Sequence, residues 1–155
     1  MTTRILIADD HEVLREGLKS LLAKYRPEWE ICGEASNGEE ALQFSQDLKP
    51  DLIIMDITMP GMSGFDACSR IRRLGLNIPV LIFTTHEAKR LETEVRKSGA
   101  QGYVLKSQAA QNLVLAIDAM LAGGTFFGAP PNAKPVGNEK PKKGILFCRS
   151  LAPAT

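Results

Sequence analysis

Cysteine is scarce in this 155-residue chain and is not arranged for bonding. Cys32, Cys68 and Cys148 are odd in number and widely scattered, with no Cys-x-x-Cys pair. That pattern speaks against a disulfide framework and a zinc site, and suits free thiols in a reducing cytoplasm. Long apolar runs are absent as well, and nothing approaches the ~20 residues of a membrane-spanning helix. Met1-Thr2-Thr3-Arg4-Ile5 runs straight into a strand pattern, so no secretory leader is expected and the expected location is the cytoplasm. Charge of one sign is missing too. The formal net charge is +1, with no excess of the kind that keeps a chain disordered.

That balance hides an asymmetry. Residues 1–127 carry 14 basic and 17 acidic side chains, whereas residues 128–155 carry five and one. The tail is also rich in Pro, Lys and Gly, from Ala129-Pro130-Pro131 to Lys142-Lys143-Gly144, with no periodicity. It reads as a linker or disordered end, and Ile145-Leu146-Phe147-Cys148 is too short to build a domain. One domain over 1–127 followed by this tail is the expected organisation.

Within 1–127, strand and helix patterns alternate. Apolar strands are predicted at 4–8, 30–35, 52–56, 79–83 and 101–105. Helices are predicted at about 11–25, 64–74, 87–98 and 109–122, with Gly99 and Gly123-Gly124 as stops, and another follows the turn Ser36-Asn37-Gly38 with Ala41, Leu42, Phe44 and Leu48 facing inward. In the first helix Val13, Leu14, Gly17, Leu18, Leu21 and Leu22 recur at three-to-four spacing, which predicts one apolar stripe. In the third, Phe65, Cys68 and Ile71 point inward, leaving Arg70, Arg72 and Arg73 as a solvated face. Five strands joined by single helices imply a doubly wound parallel α/β sheet.

The polar residues at the strand ends carry the chemistry. Asp56 closes Leu52-Ile53-Ile54-Met55, Asp9-Asp10 follow Arg4-Ile5-Leu6-Ile7-Ala8, Thr84 follows Val80-Leu81-Ile82-Phe83, and Lys106 follows Tyr103-Val104-Leu105. Open α/β sheets hold ligands at that edge. Converging carboxylates raise one another's pKa unless a counter-ion intervenes. A hard dication resolves the conflict, with Asp10 and Asp56 as direct ligands, Asp9 as a direct or water-mediated third, and the Thr58 carbonyl as a fourth. One Asp of the doublet also suits capping of the first helix, although capping leaves the facing Asp56 unexplained. Thr84 and Lys106, with the cation, form a donor set suited to phosphoryl oxygens, and an ionised aspartate is a competent nucleophile toward phosphorus.

The segments Leu6-Ile7-Ala8-Asp9-Asp10-His11, Met55-Asp56-Ile57-Thr58-Met59-Pro60-Gly61, Phe83-Thr84-Thr85-His86 and Gly102-Tyr103-Val104-Leu105-Lys106-Ser107 resemble the receiver domain of two-component response regulators. The resemblance covers about residues 4–127. The stretches around Asp9-Asp10-His11-Glu12 and Ala122-Gly123-Gly124-Thr125 are similar to the NarL/FixJ class. It implies a flavodoxin-like (βα)5 fold with strand order 2-1-3-4-5. It further implies phosphorylation of Asp56 by a histidine kinase or small phosphodonor, with Mg²⁺ or Mn²⁺ at Asp9, Asp10 and Asp56. Thr84, Thr85 and Lys106 would meet the phosphoryl group, with Tyr103 as the switch partner that rotates inward. The face of helix four, strand five and helix five would be remodelled, with dimerisation through it as one consequence. Thr58 and His86 are candidates for tuning dephosphorylation, His86 having an ordinary loop role as its alternative. A kinase docking on helix one would meet Leu14, Arg15 or Leu18, although Leu14 and Leu18 also fit the core stripe. His11 reads as the start of helix one.

Two departures stand out. Ser107 occupies a position where many receivers have proline, so a trans bond is expected after Lys106. The 28 residues after Phe127 show no amphipathic pattern for a helix-turn-helix domain, so DNA binding is not expected from this chain alone. The alternative is the receiver fragment of a DNA-binding transcriptional regulator. A Mg²⁺-dependent aspartyl-phosphate hydrolase would want a second Asp at position 58, where Thr stands. A nucleotide- or flavin-binding module would want a phosphate-cradling loop where Asp9-Asp10 would repel it.

Overall fold

The computed structural model describes residues 2–85 and 90–127. Its elements alternate as β1 (Arg4–Ala8), α1 (Glu12–Tyr25), β2 (Glu30–Ala35), α2 (Gly38–Leu48), β3 (Leu52–Met55), α3 (Gly64–Arg73), β4 (Val80–Thr84), α4 (Leu91–Ser98), β5 (Gly102–Leu105), α5 (Ala109–Leu121) and β6 (Phe126–Phe127). All pairings are parallel, and the sheet order is β2-β1-β3-β4-β5-β6. This is the flavodoxin-like doubly wound arrangement, with one strand more than the five expected. A strand of two residues cannot display a period, so β6 leaves no signal in the sequence. Its pairing requires Gly102, where a Cβ would lie 2.2 Å from the Phe126 carbonyl oxygen.

The two-residue period of the strands sorts their side chains into two cores. Leu6, Ile53, Met55, Val80 and Ile82 face α2, α3 and α4 through Ala41, Ala67, Cys68, Ile71, Leu91 and Val95. Ile5, Ile7, Leu52, Ile54, Leu81, Phe83 and Val104 face α1 and α5 through Leu18, Leu22, Leu113, Ile117 and Met120. Both faces being covered explains why the central strands read as unbroken apolar runs. Each fully buried Leu, Ile, Val, Phe or Met among these contributes about 1.5–3 kcal/mol by leaving water.

Three expectations are corrected. Val13 does not belong to the buried stripe of α1: it is 86% exposed. Only Leu18 and Leu22 are buried in that helix, with Leu14 and Leu21 half-buried. A stripe at three-to-four spacing is wider than the strip of sheet that one helix covers. Arg72 is not part of a solvated face. Its guanidinium donates to Gly99 O at 2.9 Å, Leu76 O at 3.0 Å and Gln101 Oε1 at 2.8 Å, tying α3 to the start of β5. Arg15 is not a free docking residue either, as the site shows. Among the described residues there is no cis peptide bond, and no helix is long and apolar enough to cross a membrane. His86 and the tail from 128 onward, for which expectations were stated, lie outside the described residues.

Candidate functional site

Sheet register brings the strand-end residues together. Ala8 pairs with Met55, Met55 with Ile82, and Thr84 with Leu105, so Asp9, Asp56, Thr84 and Lys106 emerge at one edge. Asp9 N–H donates to Ala35 O and Asp56 N–H to Ala8 O, both at 2.9 Å, which extends the ladder one residue beyond the strands and holds both aspartates rigidly. The loop after Asp56 turns back through Gly64, whose N–H donates to Ile57 O at 2.8 Å. A Cβ on Gly64 would sit 2.0 Å from the Asp56 carbonyl oxygen, so only glycine permits this approach.

A cleft of about 390 Å³ opens at this edge, lined by Asp10, His11, Asp56, Ile57, Thr58, Thr84, Thr85 and Lys106. The cleft has room for a phosphoryl group and a hydrated cation. Thr58 and Thr85 stand at its exposed rim, while Asp56 and Thr84 are buried.

The electrostatics are strained in one sense. Burial first, and the Asp9 charge second, push the Asp56 carboxyl above its ordinary value, with Lys106 working against both. The Lys106 ammonium lies 2.9 Å from Asp9 Oδ2 and 3.4 Å from Asp56 Oδ2. Asp9 Oδ2 is buried and, despite that charge contact, has no hydrogen bond of proper geometry among the described residues. One ammonium therefore serves two buried carboxylates.

Asp9 is not the helix cap. The N-cap residue of α1 is His11, with no side-chain capping bond. Asp9 Oδ1 instead accepts from the His11 N–H at 2.8 Å, fixing the turn from β1 into α1. Arg15 braces the same turn from the helix: its guanidinium donates to the Asp9 carbonyl oxygen and, through Nε, to Glu34 Oε1 at 2.9 Å. Lys19 completes that group, 2.6 Å from Glu34 Oε2.

Ligand atoms of Asp9, Asp10, His11 and Asp56 all fall within 4.8 Å of one another. Oxygen-rich donors in that compass, three of the four residues being carboxylates, fit a hard dication. His11, expected only as the start of helix one, joins this group. Its Nδ1 lies 3.1 Å from Asp9 Oδ1 and 3.2 Å from Asp10 Oδ1. The only signal was adjacency to the Asp doublet. Tyr103 lies in β5 three residues before Lys106, buried, its ring edge-on to Phe127 with centroids 6.2 Å apart. Tyr103, the switch partner that the resemblance implies, thus packs beside the sixth strand.

Comparison with known proteins places this geometry. Residues 5–118 match the family model of the response regulator receiver domain. The chain is similar to the transcriptional regulatory protein YdfI of Bacillus subtilis, 41% identical over 77% of this chain and 55% of that protein. It is 36% identical to the nitrate/nitrite response regulator protein NarL of Escherichia coli, again over 77% of this chain and 55% of that protein. The chain thus spans about half the length of these curated relatives. Among solved structures, a LuxR-family two-component response regulator from Aurantimonas sp. SI85-9A1 superposes with a TM-score of 0.77 at 37% identity, covering 84% of this chain and 91% of that one.

Proposed function

The chain belongs to the response regulator receiver domain family, and from that premise we propose that it takes up a phosphoryl group on Asp56 and passes the signal on by a change of conformation. It is a signalling module of a two-component system and not an enzyme in the ordinary sense. The observation that carries the assignment is the position of Asp56: a buried carboxylate, 3.4 Å from the Lys106 ammonium, inside a cleft that also holds Asp10 and Thr84.

In the reaction an Asp56 carboxylate oxygen attacks phosphorus in line. The new O–P bond forms as the bond to the donor breaks: the N–P bond of a kinase phosphohistidine, or the O–P bond of a small acyl phosphate. The leaving imidazole or carboxylate departs with the bonding pair. Lys106 and the Thr84 hydroxyl are placed to neutralise and hydrogen-bond the equatorial oxygens. Asp9, Asp10, Asp56 and the Thr58 carbonyl would hold Mg²⁺ or Mn²⁺, which supplies charge neutralisation at the phosphoryl oxygens. Thr85 at the rim adds a second hydroxyl, and Thr58 is placed to contact attacking water; His86 is assigned the same tuning role from sequence alone.

Once phosphorylated, the acceptor draws Lys106 and Thr84 toward the new oxygens and away from their present partners. Lys106 and Thr84 terminate adjacent strands, so their displacement is felt in α4, β5 and α5. That face, with Tyr103 beneath it, is the surface assigned to a downstream protein or to a second copy of the chain. The upstream partner is a histidine kinase. YdfI is named a transcriptional regulatory protein, and this chain matches only about half of it. A receiver governing a transcriptional output in a longer protein is therefore the second reading.

The decisive experiment is incubation of the chain with Mg²⁺ and acetyl phosphate, followed by intact-mass measurement. One phosphoryl adduct is expected, absent in Asp56→Asn. No adduct on the wild type, or an adduct that persists in the variant, overturns the assignment.

A further inference from the structure

Among the described residues, the His11 imidazole is the one nitrogen ligand atom in an otherwise oxygen-lined cluster. His11 is the N-cap residue of α1, and its ring turns back over the Asp doublet instead of capping the helix. Its side chain is 69% exposed, so packing does not force it there. Nδ1 faces two carboxylate oxygens, Asp9 Oδ1 at 3.1 Å and Asp10 Oδ1 at 3.2 Å. Carboxylate oxygens only accept, so the contact is favourable only with a proton or a cation among those three atoms.

The distances fit a cation. In an octahedron with ligands at about 2.1 Å, neighbouring ligand atoms are about 3.0 Å apart and opposite ones about 4.2 Å. The His11 contacts match the shorter value. The whole set of Asp9, Asp10, His11 and Asp56 falls within 4.8 Å, slightly expanded from the longer one. Around this group three carboxylates, Asp9, Asp10 and Asp56, meet one ammonium: Lys106, 2.9 Å from Asp9 Oδ2 and 3.4 Å from Asp56 Oδ2, so the negative charge is only partly balanced.

From these contacts we propose that His11 is a direct metal ligand through Nδ1, which makes the cleft a site for borderline first-row dications such as Ni²⁺ and Co²⁺ as well as for Mg²⁺. Mg²⁺ prefers oxygen and gains little from an imidazole, whereas Co²⁺, Ni²⁺ and Cu²⁺ gain much and follow the Irving–Williams order. The proposal rests on the reading of the cleft as the receiver's cation site. It adds that the identity of residue 11 sets which ion the site prefers.

The test is titration calorimetry of the tag-free 155-residue chain with Ni²⁺ alone and with Mg²⁺ alone. The proteins compared are the wild type, His11→Ala, His11→Asn and Asp10→Asn. His11→Ala should lower Ni²⁺ affinity tenfold or more and Mg²⁺ affinity less than twofold. His11→Asn retains an N–H donor to the carboxylates but has no imidazole lone pair, so it should leave the Ni²⁺ loss unrepaired. Asp10→Asn should weaken both ions, placing Ni²⁺ in the same site. Equal losses of both ions in His11→Ala, repair by Asn, or no loss at all would overturn the proposal, showing that His11 only positions the aspartates. Wild-type chain that binds Mg²⁺ and is phosphorylated on Asp56 while failing these criteria would sink the His11 role alone. Wild-type chain that binds neither ion would sink the cation site with it.

Discussion

Lys106 and Asp9 are in contact, the ammonium 2.9 Å from Asp9 Oδ2, at the ends of strands that are not neighbours in the sheet. The contact crosses the mouth of the cleft over β3 and β4. Each side chain is largely buried, at 13% and 2% exposure. Removing the ammonium leaves two carboxylates facing each other in a site partly closed to water, and breaking a buried pair is more costly than never having had it. We expect Lys106→Ala to fold but to lose about 2 kcal/mol of stability in the absence of divalent cation. Added Mg²⁺ should narrow that gap. Chemical denaturation with and without Mg²⁺ checks both, and an undiminished gap would mean that Lys106 and the cation do not share a role.

Asp56→Asn should stabilise the metal-free chain at neutral pH. The folded-state pKa of Asp56 is raised, by burial first and by Asp9 second. A carboxyl of that kind binds its proton more tightly folded than unfolded, so its ionisation opposes folding. The penalty is absent below the unfolded value of 3.8. It grows as pH rises toward the folded value and is complete above it. The variant should melt a few degrees higher at pH 7, in line with about 1 kcal/mol, and the difference should close below about pH 4. Equal melting temperatures at pH 7 would contradict this.

Glu34 shows the opposite sign. Its carboxyl is held below its ordinary value by the hydrogen bond from Lys19 first, with Arg15 adding to it against the desolvation of the site. Its contribution is present above the unfolded value of 4.5 and lost as pH falls through the lower folded value. Glu34→Gln should cost about 1 kcal/mol at pH 7, the partly exposed setting keeping the figure small, and nothing at strongly acid pH. Because Arg15 also grips the Asp9 carbonyl, the same variant should slow labelling by acetyl phosphate. Stability loss with unchanged labelling would confine Glu34 to a structural role.

Gly64 and Gly17 make a contrast of two alanine substitutions. At Gly64 a Cβ would collide with the Asp56 carbonyl oxygen at 2.0 Å. Gly64→Ala must push the loop away, costing about 2 kcal/mol or more and displacing the phosphoacceptor. Gly17 lies within α1 with nothing within 4 Å of its would-be Cβ. Gly17→Ala should therefore stabilise by about 0.5–1 kcal/mol, by helix propensity and a less free unfolded chain. Melting curves and labelling rates separate the two.

Much of this was legible before any coordinates, for definite reasons. A strand covered on both faces must be apolar throughout, so Leu52-Ile53-Ile54-Met55 stood out, and with it the polar Asp56 that ends the run. The elements of the helical layers were likewise marked by period and by glycine stops. The sequence signal failed where a residue has two chemically sensible fates. Arg15 and Arg72 have the composition of solvated helix faces. Each is instead engaged because its long side chain reaches a carbonyl on another element, Asp9 in one case and Gly99 in the other. Val13 failed in the other direction, apolar yet exposed. The strand Phe126–Phe127 was too short to carry any pattern.

The sequence by itself determined the order of strands and helices and the identity of the polar residues at strand ends, because those follow from local periodicity and from the intolerance of a buried strand for charge. Only the tertiary structure decided which of those residues touch. The register of β1, β3, β4 and β5 sets Lys106 against Asp9 more closely than against Asp56. The turn at Asp9 sets the His11 ring over the doublet, and β6 lays Phe127 against Tyr103. Such contacts join residues up to 97 positions apart, as with Asp9 and Lys106. No local pattern encodes them, because they arise from the twist and register of the assembled sheet.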